Sequence, residues 1–157
     1  MILIIGVSGS GKTTIAKLLS KAIDKRFFDA DDFHSQDNIN KMKRGMALND
    51  QDRSSWLNTL ANKMEKWESE DGAILACSAL KEKYRRILSS KTNNIFWVYL
   101  SGSYDVINSR MSKRKDHYMS ADLLQSQFDA LEIPEYGLHI NIELAPQEIV
   151  NIIKSEL

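Results

Sequence analysis

Gly6-Val7-Ser8-Gly9-Ser10-Gly11-Lys12-Thr13 decides how this chain is read. The apolar run Met1-Ile2-Leu3-Ile4-Ile5 precedes it, and a stretch with helical spacing of apolar residues, Lys12 to Ile23, follows it. The order is strand, glycine loop, helix, and the pattern G-x-x-x-x-G-K-[ST] is met in full. The glycines let backbone N–H groups converge on a phosphate with no Cβ in the way. Lys12 brings a point charge to the β- and γ-phosphates, and the Thr13 hydroxyl can ligate Mg²⁺. The helix N-terminus adds its positive dipole end. These residues, with Thr14, predict a nucleoside triphosphate site.

The rest of the chain fits an α/β protein around that loop. Strands are expected at Ile2–Ile5, Arg26–Asp29, Ala73–Cys77, Ile95–Leu100 and Leu138–Ile142. They read as continuously apolar, as in a parallel sheet covered on both faces. Helical stripes lie between them: Thr14, Ile15, Leu18, Leu19, Ala22 and Ile23 in one, Trp56, Leu57, Leu60, Ala61, Met64 and Trp67 in another. Asp50-Gln51-Asp52 gives the latter a polar start. Further helices are expected at Ser35–Lys43, Lys81–Ser90, Tyr104–Arg110, Ser120–Leu131 and Pro146–Lys154, with Pro146 suited to a first turn. The alternation implies a doubly wound sheet with right-handed crossovers. Its ligands belong beyond the carboxyl ends of the strands.

Composition narrows the function classes. The 157 residues suit one domain over 1–157, large enough for a real core. With 21 basic and 21 acidic side chains the net charge is zero, so nothing global favours nucleic acid or an anionic membrane. The single cysteine, Cys77, excludes an internal disulfide and fits a reducing compartment. No apolar run approaches the roughly 20 residues of a membrane span. The chain starts on its first strand, which leaves no room for a targeting segment, so a cytoplasmic location is expected.

The strand ends supply the chemistry. Asp29-Ala30-Asp31-Asp32-Phe33-His34 follows the second strand. A carboxylate there can take a proton from an acceptor hydroxyl or hold Mg²⁺ through water, and Asp31 is the candidate for both duties. Asp29 ranks below it, as a support for Mg²⁺ or for strand-end hydrogen bonds. The third strand ends in Cys77-Ser78, without the aspartate that many nucleotide-loop enzymes carry there. Lys81 and Arg85 follow, four apart on one helix face, and two cations there suit an anionic acceptor. His34 divides between a polyol contact and a structural role. His139, in an apolar strand, reads as structural, and the six methionines and the tryptophans read as core. The basic segment Arg110-Met111-Ser112-Lys113-Arg114-Lys115-Asp116-His117-Tyr118 suits a lid over ATP, at about 111–120, whose arginines neutralise the transferring phosphoryl group.

Several stretches resemble the small, shikimate-kinase-like gluconate kinases. They are the loop GVSGSGKT, the segment DADDFH at 29–34, N-x-x-K-M at 38–42, and Gly45 to Leu57 as G-x-x-L-N-D-x-D-R-x-x-W-L. Cys77–Arg85 matches C-S-A-L-K-x-x-Y-R, Arg114–Met119 resembles the family's lid, and Gln127–Glu132 matches Q-F-x-x-L-E. The resemblance runs from residue 2 to about 153. It implies a five-stranded parallel P-loop sheet of order 2-3-1-4-5, a separate lid, and in many members a homodimer. It implies transfer of the ATP γ-phosphate to D-gluconate with Mg²⁺ as cofactor. By position it makes His34, Arg53, Lys81 and Arg85 sugar-acid contacts beside Asp31, and Arg110 and Arg114 lid or phosphate contacts. The catalytic group so expected is Lys12, Asp31 and Arg114, with Thr13 and Asp31 at the metal. Asp116, where glycine is common, and Asn141-Ile142-Glu143 depart from the family pattern. A kinase for shikimate or another sugar acid, and a regulatory ATP-binding protein without turnover, are the alternatives.

Overall fold

The computed structural model describes residues 1–113 and 121–157. Five parallel strands form one sheet of order β2-β3-β1-β4-β5, the order the resemblance implies. They are β1 (Ile2–Ile5), β2 (Phe27–Asp29), β3 (Ile74–Cys77), β4 (Phe96–Ser101) and β5 (Leu138–Asn141). The helices are α1 (Lys12–Ile23), α2 (Gln36–Lys43), α3 (Asp50–Ser69), α4 (Glu82–Leu88), α5 (Tyr104–Ser112), α6 (Ala121–Ala130) and α7 (Pro146–Ser155). A 3-10 turn, Ala30–Phe33, carries the chain out of β2.

Alternate side chains of the inner strands go to two separate cores. Ile4, Ile74, Ala76 and Val98 join Ile15, Leu19, Val150 and Ile153 from α1 and α7 on one face. Leu3, Ile5, Leu75 and Cys77 join Trp56, Leu57, Leu60 and Met64 from α3 on the other. Neither face meets water, so the strand sequence shows no polar alternation. Each buried Val, Leu, Ile or Met side chain among them contributes about 1.5–3 kcal/mol. β5 differs because it is an edge strand: Ile140 is buried, but His139 is exposed. The expectation of a buried His139 is therefore corrected; its ring meets that of Tyr99 in a T-shaped pair, centroids 5.3 Å apart.

Helix starts follow local chemistry. Asn49 caps α3 by accepting from Asp52 N–H while the Asp52 carboxylate accepts from Asn49 N–H, a full capping box. Ser35 caps α2 and Ser103 caps α5. Of the lid expected at about 111–120, Met111 and Ser112 continue α5, and 114–120, with Arg114, lie outside the described residues. Among the described residues no helix is long and apolar enough to cross a membrane.

Candidate active site

The loop between β1 and α1 runs along the carboxyl edge of the sheet. Gly6 (φ +145°) approaches the Leu100 carbonyl so closely that a Cβ would lie 2.8 Å from its oxygen. Gly9 (φ +80°) packs under α5, where a Cβ would lie 2.7 Å from Met111 Cγ. Gly11 caps α1 in the left-handed region (φ +96°) and offers no side chain to the helix N-terminus. The orphan N–H groups of that first turn are thereby left for an anion. Val7 and Ser10 are buried, so any contribution they make to a nucleotide comes from their backbone. Lys12 Nζ donates to the Val7 carbonyl at 2.9 Å, which folds its charge over the loop.

A cavity of about 570 Å³ opens beside this loop. Ser8, Gly9, Lys12 and Thr13 line one side, and Asp29, Asp31, His34 and Arg53 line another. Residues from three parts of the chain thus meet in a volume suited to a small molecule. Thr14 is exposed and lies outside this lining.

The two aspartates of the turn after β2 divide their roles. Asp29 accepts the Thr13 hydroxyl proton on Oδ2 at 2.7 Å and Asp31 N–H on Oδ1 at 3.2 Å. The first bond holds the Thr13 hydroxyl with its lone pairs turned away from Asp29. Thr13 Oγ1 and the Asp29 carboxylate together make a hard oxygen donor set that suits Mg²⁺ alongside nucleotide phosphates and water. Asp31 carries no such contact to Thr13. Its side chain is 82% exposed at the mouth of the cleft. Partial desolvation there raises its pKa above the ordinary aspartate value, Asp29 adds to the rise, and Lys12 opposes it. Among the described residues no group of three or more His, Cys, Asp or Glu forms a ready metal cage.

His34 is held by a defined network. Its ring stacks on Trp56, centroids 4.2 Å apart, and Trp56 Nε1 donates to the Ala30 carbonyl at 2.8 Å. Asn38 Nδ2 donates to the Asp52 carbonyl at 2.8 Å and meets His34 Nδ1 at 3.5 Å. A carbonyl only accepts, so that nitrogen is the amide donor, and His34 Nδ1 must then be the acceptor. The ring proton sits on Nε2, which lies 3.8 Å from Asp31 Oδ1. Burial, with Arg53 nearby, lowers the His34 pKa to about 4, so the ring is neutral near pH 7.

The expected acceptor cations separate. Arg53 lines the cavity, donates to the Leu48 carbonyl, and lies 5.6 Å from the Tyr84 ring centroid. Lys81 rests against the same ring at 5.8 Å but is 3.5 Å from Asp50 Oδ1 and outside the lining. Asp50 also takes the Tyr84 hydroxyl and Lys83, which tie the start of α3 to α4. Arg85 departs from expectation. It is 1% exposed, and its guanidinium donates to the carbonyls of Ala79, Leu80 and Glu132 and to the Glu82 carboxylate. It lies outside the cavity lining and binds the chain to itself, its planar fork joining the turn before α4 to the segment after α6. Arg110 likewise lies outside the lining and donates to the Ile142 carbonyl at 2.7 Å, at the end of β5. Cys77 is buried, and burial pushes its thiol up to about 12, which makes it inert.

Several lining residues carried no local signal. Met42 and Met46, expected in the core, are 40% and 45% exposed and line the cavity. Gln127, from α6, reaches back to Ser8. Its only sequence signal was its place in Q-F-x-x-L-E.

Comparison with known proteins gives the family. The shikimate kinase family model matches residues 8–135. A gluconokinase from Arabidopsis thaliana is 42% identical, over 98% of this chain and 89% of that protein. A crystal structure of a sugar kinase from Janibacter sp. HTCC2649 superposes with a TM-score of 0.92 at 39% identity, covering 98% of this chain and 91% of the other. A gluconokinase from Sinorhizobium meliloti 1021 gives a TM-score of 0.88 at 34% identity, over 96% and 86% of the two chains.

Proposed function

The chain belongs to the gluconokinases of the shikimate kinase family, and from that premise we propose that it transfers the γ-phosphoryl group of ATP to D-gluconate, giving 6-phospho-D-gluconate and ADP. The observation that carries this reading is the shared cavity: Lys12 and Thr13 of the phosphate loop face the same space as Asp31, His34 and Arg53. Gluconate has one carboxylate and a row of hydroxyls. It needs a cation at one end and hydrogen-bonding groups along its length.

Asp31 accepts the proton of the terminal hydroxyl as its oxygen attacks the γ-phosphorus. The bond from phosphorus to the bridging oxygen breaks, and ADP leaves with that electron pair. The raised pKa of Asp31 brings it nearer to the task of a base. His34, neutral and with its proton on Nε2, donates to a hydroxyl next to Asp31. Arg53 pairs with the carboxylate. Lys12 and the amides of the loop stabilise charge on the phosphoryl group. Thr13 and Asp29 are the groups that would hold Mg²⁺, which neutralises phosphate charge when bound with the nucleotide.

Coupled ADP release over a panel of acceptors tests this directly. D-gluconate should give turnover, with the product identified by ³¹P NMR. Turnover with shikimate or another sugar acid but not with gluconate would overturn the substrate, and ATP binding without any acceptor-dependent ADP release would overturn the reaction.

A further inference from the structure

Ser8 and Gln127 are 119 residues apart in sequence and joined by two hydrogen bonds. Ser8 N–H donates to Gln127 Oε1 at 2.7 Å, and Gln127 Nε2 donates to Ser8 Oγ at 3.0 Å. The direction of both bonds follows from chemistry alone. A backbone N–H can only donate, so the amide atom facing it is the oxygen. The other amide atom is then the NH₂, which can only donate. Ser8 Oγ must therefore accept, and its own proton points away from Gln127.

That proton has one useful direction. Ser8 lines the cavity with Lys12, Thr13 and Asp31, where a donor phosphate and an acceptor hydroxyl must meet. Among the described residues no group accepts from the Ser8 hydroxyl. The neighbouring Gly9 is fixed from the other side by Met111 and Ile107 of α5. The lip of the loop is thus gripped by α5 at Gly9 and by α6 at Ser8, and little freedom remains for the hydroxyl to turn elsewhere.

We propose that Gln127 is a positioning residue that fixes the Ser8 hydroxyl as a hydrogen-bond donor to the transferring phosphoryl group. The carboxamide is suited to this because it fills one lone pair of Ser8 Oγ while holding the backbone beneath it. The fixed hydroxyl meets a phosphoryl oxygen without reorganising at the moment of transfer, the condition under which a donor lowers a barrier. This inference rests on phosphoryl transfer to D-gluconate. Gluconate-dependent turnover of the unaltered protein tests that reading separately.

The test is a double-mutant cycle with S8A and Q127M, measuring kcat, the ATP KM and the thermal midpoint. S8A removes one oxygen and is expected to lower kcat by about 10- to 100-fold, with the ATP KM changed by less than about threefold. Q127M, of similar length but without polar atoms, should lower kcat by a comparable factor. The double variant should be no slower than S8A, since both changes remove one interaction. Wild-type kcat in S8A would overturn the proposal even if Q127M failed to fold. So would multiplied losses in the double variant, or a Q127M protein with a lowered midpoint and an intact kcat.

Discussion

Thr13 donates its hydroxyl proton to Asp29 at 2.7 Å, joining the first residues of α1 to the last residue of β2. Asp29, rather than Asp31, is therefore the carboxylate that touches the expected metal ligand. Asp29→Asn tests the charge apart from the bond, because an amide oxygen can still accept from Thr13. The Mg²⁺ concentration for half-maximal rate, at saturating ATP, is expected to rise at least tenfold in D29N. An unchanged Mg²⁺ dependence would make Asp29 a strand-end support only.

We propose Asp31 for the proton transfer. Asp31→Asn is expected to lower kcat by about 10²- to 10⁴-fold, with the ATP KM within about threefold of the wild-type value. The raised carboxyl pKa also predicts a pH profile. The acid limb of kcat/KM for gluconate should lie above 3.8, with rate lost as pH falls through it. Stopped-flow single turnovers of D31N at the wild-type rate would remove Asp31 from the chemistry.

What the sequence revealed, and what it concealed, follows from how far each interaction reaches. The span of α1 and the run of β1 were legible because glycine, lysine and apolar spacing are local signals. The place of Asp31 beside the phosphate loop was legible because β2 ends beside β1 through β3 in any sheet of this order. His139 was misread because a strand's sequence does not say whether it lies at an edge. Met42 and Met46 were misread because apolar character does not distinguish a core from the wall of a cavity. Arg85 was misread because its partners include Glu132 and Tyr136, from the segment between α6 and β5. No spacing within Cys77–Arg85 announces them.

The correction at Arg85 carries its own test. Arg85→Ala would take the guanidinium from the carbonyls of Ala79 and Glu132, leave the Leu80 carbonyl only the Glu132 N–H, and leave Glu82 Oε2 only the Tyr136 hydroxyl. The expected cost is about 2–4 kcal/mol, a fall in thermal midpoint of roughly 5–12 °C for a domain of this size. The gluconate KM of the folded fraction should stay within about threefold. A tenfold rise in that KM with an unchanged midpoint would return Arg85 to the acceptor site.

His34 makes stability depend on pH, and the sign is fixed by its lowered pKa. The unfolded chain titrates this group near 6.5, the folded one near 4. Between those values the unfolded state binds more protons, so stability rises as pH rises through the window and is lost as pH falls. The side chain is 5% exposed, which allows a contribution on the order of 2–3 kcal/mol. Urea unfolding at pH 7 and pH 4.5 should show a larger loss for wild type than for His34→Gln, by about 2 kcal/mol. Equal losses would show that protonation of His34 does not oppose folding.

Gly9 tests how tightly the phosphate loop is set under α5. A methyl group there meets two obstacles: a backbone at φ +80° and Met111 Cγ at 2.7 Å. The first costs about 1 kcal/mol whatever surrounds it. The second depends on whether the flexible Met111 side chain can withdraw. Gly9→Ala should raise the ATP KM at least tenfold, since displacing Gly9 moves the amides on either side of it. Adding Met111→Ala removes the contact but leaves the dihedral. The double variant G9A/M111A should therefore recover part of the nucleotide affinity, measured by titration with a non-hydrolysable ATP analogue. Full recovery would mean that contact with Met111 alone demands the glycine, and no recovery would assign the whole requirement to the left-handed backbone.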